Sequence, residues 1–257
     1  MPIRETRDIL DYNVTLGAVT YLLSLSFSVN LSAGFIRKYV ALETEELVRD
    51  AIGFLKKLDM ISIKSENGKR VIPKISKESL KYIRPTILNR LMRSNDSSVH
   101  YLATFIKLFL TKKKYYNKDD IWRMLIESRR VEGLSVSSDQ TFKVKLRYLL
   151  RHLEELGLCL KCGDYIIPII EPQLLLECFY AMKFYRGSLS EAINKLNSQY
   201  IPCVHSGVIC KPLEISLSRL ETYNLVKLSL ISDFGLPYEI NGKKYTFLEV
   251  LHHDASL

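Results

Sequence analysis

The 257-residue sequence has no glycine-rich phosphate-cradling loop, no GxSxG elbow, no HExxH helix and no paired-acid signature. Each of those patterns brings a nucleophile, a metal or a phosphate to a defined backbone frame. Their absence points away from catalysis, so the expectation is a non-enzymatic chain with no cofactor and no small-molecule substrate. Long apolar runs are missing too, and none reaches the roughly 20 residues that span a bilayer. The most apolar N-terminal stretch, Val14 to Val29, is interrupted by Thr15, Thr20, Ser24, Ser26 and Ser28. Acidic Glu5 and Asp8 precede it, unlike the basic opening of a signal peptide, so it reads as a core helix and no membrane partner is expected. Cysteine is sparse at five residues, which without a secretory signal suggests a reducing compartment and no disulfide framework. Acids are the minority charge: 28 Asp and Glu face 37 Lys and Arg, leaving a net charge of +9 and a pI near 9.2. That balance favours a polyanionic partner, nucleic acid before an acidic protein or a membrane surface.

What the sequence does have is a repeated join. FLKKLDMISIKSENGKRVIPKI from Phe54, HLEELGLCLKCGDYIIPII from His152 and RLETYNLVKLSLI from Arg219 each end a helical apolar pattern and begin a strand, the third closing late at INGKKYTF. Leu47, Ile52, Phe54, Leu55 and Leu58 recur at helical spacing, as do Phe142, Leu146, Leu149, Leu150, Leu153 and Leu156, and then Leu213, Leu217, Leu220 and Tyr223. After the first two sets and at the end of the third stand Asp59, Gly157 and Asn224, residue types that accept a left-handed backbone and cap a helix C-terminus at low cost. Asn67-Gly68, Gly163-Asp164 and Asn241-Gly242 are two-residue hairpin signals, and Pro73 and Pro168 suit strand ends.

Helix, turn and hairpin in this order resemble the close of a winged-helix domain. The resemblance covers most of the chain and implies a mainly α fold with small β-hairpin wings (α+β), a tandem array of two to three winged-helix domains. The expected boundaries are 1–76 for domain 1, 77–98 for a helical connector kinked at Pro85, 99–171 for domain 2 and 172–257 for a divergent domain 3. In domain 1 a helix through Leu16, Val19, Leu22 and Leu23 leads to a short strand at Val29 to Leu31. Ser32 is expected to cap a second helix, Ala33 to Leu42, and Thr44 a third that opens with Glu45 and Glu46. Domain 2 repeats the order with helices at Val99 to Thr111 and Asp119 to Arg130. Domain 3 starts with a helix at Leu174 to Tyr185, then a short helix capped by Ser188 or Ser190 and a loop holding Cys203 and Cys210.

In a helix-turn-helix pair the second helix enters the major groove, so its outward residues decide what can be bound. In domain 2, Lys143, Arg147 and Arg151 lie four apart, joined by Lys145, Tyr148 and His152, as one stripe with no acid from Lys143 to Leu153. Lys112, Lys113, Lys114, Arg129 and Arg130 are expected to extend it onto flanking phosphates. In domain 1 the corresponding helix starts acidic, so its contacts are expected from the wing, through Lys64, Lys69, Arg70 and Lys74. In domain 3, Lys211 and Arg219 are offset by Glu214 and Glu221, and weak DNA binding or a protein contact is expected. Tyr115 and Tyr116 read as core or rim packing, with stacking on unpaired bases as the alternative. Cys159-x-x-Cys162 with Cys178, Cys203 and Cys210 is the one set able to hold zinc or an iron–sulfur cluster. No second CxxC follows, and isolated cysteines are most often small buried hydrophobes, so no metal site is expected.

The tandem arrangement looks similar to archaeal winged-helix replication initiators and to winged-helix subunits of the basal transcription apparatus. That resemblance implies a double-stranded DNA-binding protein of replication initiation or transcription control, located with the nucleoid in the cytoplasm, with replication or transcription proteins as further partners. The alternative is a winged-helix interaction scaffold with only weak DNA binding.

Overall fold

The computed structural model describes residues 7–28, 45–64, 70–135, 139–205 and 207–251. Over these residues the chain is mixed α and β, with nine α-helices and eleven short strands in five small antiparallel sheets. It divides into two compact units, Met1–Leu102 with Ile126–Leu156 and Ala103–Leu125 with Gly157–Leu257. This division differs from the expected segments: 1–76 and 77–98 share the first unit, 172–257 lies in the second, and 99–171 is divided between them. Two long helices of that segment, Ser97–Lys112 and Lys118–Val131, cross the division: Val99, Tyr101 and Leu102 with the polar Ser128 and Arg129 are buried on the first unit's side, and Phe105, Phe109, Ile121 and Leu125 are buried on the second's.

In the first unit a 3-10 turn, Ile9–Asp11, precedes helix α1, Leu16–Ser28. Val19, Leu22 and Leu23 of α1 are buried, as are Ala51, Phe54 and Leu55 of α2, Glu45–Lys57, which packs against it, and Leu58 just after it. The strand at Val29 to Leu31, the helix at Ala33 to Leu42, and their caps Ser32 and Thr44 lie outside the described residues. Asp59 takes φ 53° and turns the chain into β1, Ile61–Lys64, which pairs with β2, Arg70–Pro73, so that Ile61 faces Pro73 and Lys64 faces Arg70. The Asn67-Gly68 turn between them is again outside the described residues.

The connector contains no proline kink. A 3-10 segment, Lys77–Tyr82, capped by the Ser76 hydroxyl, runs into α3, Ile83–Met92, and Pro85 sits in its first turn. A first-turn N–H has no intrahelical partner to lose, so proline is accommodated there. Helices α4, Ser97–Lys112, and α5, Lys118–Val131, follow close to their expected spans and pass between the units. Helix α6, Asp139–Glu155, returns to the first unit, burying Leu149, Leu150 and Leu153. Its Glu155 carboxylate accepts the Leu16 N–H at 2.7 Å, placing an acid on the first turn of α1 as the helix dipole favours.

In the second unit Gly157, with φ 75°, opens the hairpin β3, Cys159–Cys162, with β4, Tyr165–Pro168. Tyr116, between α4 and α5, adds a one-residue third strand by exchanging backbone hydrogen bonds with Ile166 at 2.8 and 2.9 Å. Pro172 then starts α7, Pro172–Ala181, shorter than expected because Lys183 takes φ 54° and Arg186–Ser188 forms strand β5. The Ser188 hydroxyl caps α8, Leu189–Gln199. The cysteine loop is a tight hairpin, β6, Val204–His205, with β7, Val208–Ile209. Helix α9, Lys211–Thr222, ends at Asn224, φ 54°, and leads to β8, Val226–Ser229. A small hairpin, β9, Tyr238–Ile240, with β10, Lys243–Tyr245, turns on Asn241 and Gly242 at φ 49° and 76°. The last strand, β11, Phe247–Val250, lies between β5 and β8 in a three-stranded antiparallel sheet. No helix among the described residues is long and apolar enough to cross a membrane.

Candidate nucleic-acid interface

The candidate surface is built on α6, whose residues divide by their distance from the apolar stripe. Lys143 and Arg147, on the side away from Leu149 and Leu153, are exposed and form no ion pair among the described residues. The Tyr148 ring lies between two guanidinium groups, Arg147 and Arg151 each being 5.4 Å from its centre. Such stacking holds a cationic side chain in place while leaving its donors free for phosphate or guanine.

Three residues of the expected stripe do not belong to an open face. Lys145 is three residues after Phe142 and four before Leu149, which puts it on the buried stripe, and it is 7% exposed. Its ammonium meets Asp11 at 2.8 Å and Asp8 at 3.6 Å. His152 packs its ring 5.6 Å from that of Phe54, its Nε2 is buried with no partner, and burial followed by the Arg151 charge lowers its pKa to about 4. At neutral pH it carries no charge for a phosphate. Arg151 is half-buried and donates to Asn13 Oδ1 at 2.6 Å, so it fixes the N-terminal segment while one face remains with Tyr148.

Arg129 is likewise internal. It pairs with Asp8, and its Nε and Nη2 donate to the Ser135 carbonyl at 3.1 and 2.9 Å. Asp8 also accepts the Tyr101 hydroxyl at 2.7 Å and the Leu10 N–H at 3.0 Å. Burial opposes the charge on Arg129, but Asp8 and then Tyr101 raise its pKa, whereas burial and the Asp8 charge push the Tyr101 hydroxyl well up. This centre consumes two of the cations counted for DNA, and the residue that recruits them, Asp8, carried no signal in the sequence beyond being acidic.

The remaining candidates are spread over both units. In the first, Arg130 and Lys64 are exposed, the Arg70 backbone pairs with Lys64, and the Arg70 side chain and all of Lys69 lie outside the described residues. Lys74 pairs with Asp59, which Arg90 also reaches at 3.6 Å, so the base of this hairpin is largely neutralised. In the second unit Lys112, Lys113 and Lys114 are exposed, and Lys113 pairs with Asp120 at 3.0 Å. Tyr116 is core, whereas Tyr115 is exposed and meets the exposed Tyr165 of the hairpin edge-on at 5.3 Å. On helix α9 two polar side chains hold the β9–β10 hairpin: Glu214 accepts the Asn241 N–H at 2.8 Å, and Asn241 Nδ2 donates to Ser218 at 2.6 Å.

The cysteines fall into two sets, Cys159 and Cys162 on β3, and Cys203 with Cys210 and Cys178 near it. Cys162 is exposed at the end of β3, Cys159 is buried on that strand, and Cys178, Cys203 and Cys210 are buried. Cys203 and Cys210 flank the β6–β7 hairpin and hydrogen-bond to each other; that bond together with burial pushes the Cys203 thiol up, and against burial it lowers that of Cys210. Among the described residues no group of three His, Cys, Asp or Glu side chains is placed to hold a metal ion.

No family model and no curated protein matches this sequence. Among solved structures, one described as magnesium ion-bound SspB is similar at a TM-score of 0.47 and 8% identity, over 94% of this chain and 85% of that one. A likeness of that size identifies no family.

Proposed function

We propose that the chain is a non-enzymatic, double-stranded DNA-binding protein built from tandem winged helices, with α6 as its groove-entering helix. The single observation that carries this is the open pair Lys143 and Arg147 on the acid-free stretch from Lys143 to Leu153, steadied by Tyr148. The fold reading is supported by the order helix, strand, helix, helix, hairpin with Tyr116 bridging to the β3–β4 hairpin, and by a looser copy in which β5 lies beside β11 and β8 but the β6–β7 hairpin separates α8 from α9. Fewer cations serve DNA than the composition suggests, because Lys145 and Arg129 are paired inside the protein, Lys74 is paired with Asp59 at its surface, and His152 is buried and neutral.

A second reading, in which one copy faces a protein, is favoured at α9 alone. Glu214 and Ser218 hold the β9–β10 hairpin, which leaves Arg219 as a single open cation and not a stripe. The test is titration of a random-sequence duplex at about 50 and about 200 mM salt, since each neutralised phosphate releases counterions. Binding that weakens steeply between the two supports the reading. No binding, or binding indifferent to salt, overturns it.

A further inference from the structure

The second unit contains a cleft of about 650 Å³ between the α4 end, the β3–β4 hairpin and α9. That volume falls within the roughly 300–1,000 Å³ range of clefts that hold one small ligand. Its floor is apolar and has few donors to offer. Leu110, Ile167 and Ile169 line it, and Pro168, Pro172 and Pro212 have no N–H. Several other backbone groups there are engaged internally: Ile169 N–H donates to Leu158 at 3.0 Å, Glu171 N–H to Gly157 at 2.9 Å, and the Ile170 carbonyl accepts the Ser216 hydroxyl. Leu160 and Ile215, which are 53% and 42% exposed, stand in its wall as large apolar side chains left in contact with solvent.

The rim is cationic. Lys112, Lys113, Lys114, Lys211 and Arg219 contribute to it against one lining carboxylate, Glu171. Lys113 and Lys211 already pair with Asp120 and Glu214, at 3.0 and 2.8 Å. Lys114 and Arg219 have no ion pair among the described residues and are exposed. An apolar floor without donors selects an apolar body, and two uncommitted cations at its edge select an anionic head.

We propose that this cleft is a binding site for a small single-chain anionic amphiphile of the fatty-acid class, its chain on the isoleucine and proline floor and its carboxylate at Arg219 and Lys114. None of the residues lining this site belongs to the α6 surface.

The test is calorimetric titration of the full chain with dodecanoate below its micellar concentration, beside dodecyltrimethylammonium, which keeps the chain and reverses the head, and acetate, which keeps the head alone. Saturable binding of one dodecanoate per chain is expected, with the cationic analogue at least about tenfold weaker and acetate silent, because both halves of the site are needed. The double variant Lys114→Glu/Arg219→Glu and, separately, Ile215→Asp should each weaken dodecanoate by at least about tenfold. All three positions are exposed, so circular dichroism and the thermal midpoint should be those of the parent. Absence of dodecanoate binding, equal binding of both head charges, or full retention of affinity in the folded variants would overturn the proposal.

Discussion

Replacing Asp8 by Asn keeps shape and removes one charge from a site where two buried cations depend on it. Asp8 is 6% exposed, and Arg129 and Lys145 are each 7% exposed. In the variant Lys145 keeps Asp11 at 2.8 Å, but Arg129 loses the carboxylate it pairs with and is left with the Ser135 carbonyl and the Tyr101 side chain. Breaking a buried pair from one side costs about 3–5 kcal/mol because the surviving charge stays desolvated and unpaired. The same amide would still accept from the Leu10 N–H and the Tyr101 hydroxyl, so the loss is a measure of charge and not of capping. Against the usual total stability of about 5–15 kcal/mol, such a loss moves the urea midpoint far down. The assay is urea unfolding of D8N, R129M and the double variant D8N/R129M. The double variant should recover much of what D8N alone loses, since the unpaired guanidinium has gone. If D8N lies within about 1 kcal/mol of the parent, or R129M gives no recovery, the pair is not the desolvated one described here.

Two further outcomes follow from single contacts. His152 is neutral when folded, with its pKa lowered to about 4 from the usual 6.5 by burial and by Arg151. The unfolded chain therefore takes up a proton that the folded one refuses, and stability falls as pH drops from 6.5 towards 4, by about 3 kcal/mol at order of magnitude; H152F should flatten that part of the stability profile in pH-resolved urea unfolding. Gly53 of α2 lies under the Tyr12 ring, where an added Cβ would overlap Cε1 and meet Cδ1 at 2.9 Å. G53A should lower stability by about 1–3 kcal/mol through overpacking despite the better helix propensity of alanine, and an unchanged thermal midpoint would contradict that contact.

The helix ends were readable because their signal is local. Asp59, Gly157 and Asn224 all take positive φ, and each is followed by a strand, as their residue types and the apolar spacing before them imply. The paired strands without a turn between them were not readable. Arg186–Ser188 carries glycine and no β-branched residue, and it becomes a strand only because β11, some sixty residues later, lies beside it. The interface was half legible for a similar reason. Spacing alone places Lys145 on the stripe of Leu149, and Arg129 four residues after Leu125, so both positions marked cations on an apolar face. What made burial affordable, Asp8, is 121 residues from Arg129, and no local pattern links them. Counting basic residues on a helix without first assigning its buried face overstates the open charge.

The central claim is that the open face of α6 meets the phosphates of duplex DNA. It is tested most directly by the salt dependence of duplex affinity for the double variant K143E/R147E against the parent chain, both exposed positions being free to change without loss of core. Removing two phosphate contacts should lower the slope of log affinity against log salt by about 1.8, at about 0.9 per contact, together with a marked loss of affinity at low salt. A folded double variant with the parent's affinity and slope would contradict the assignment.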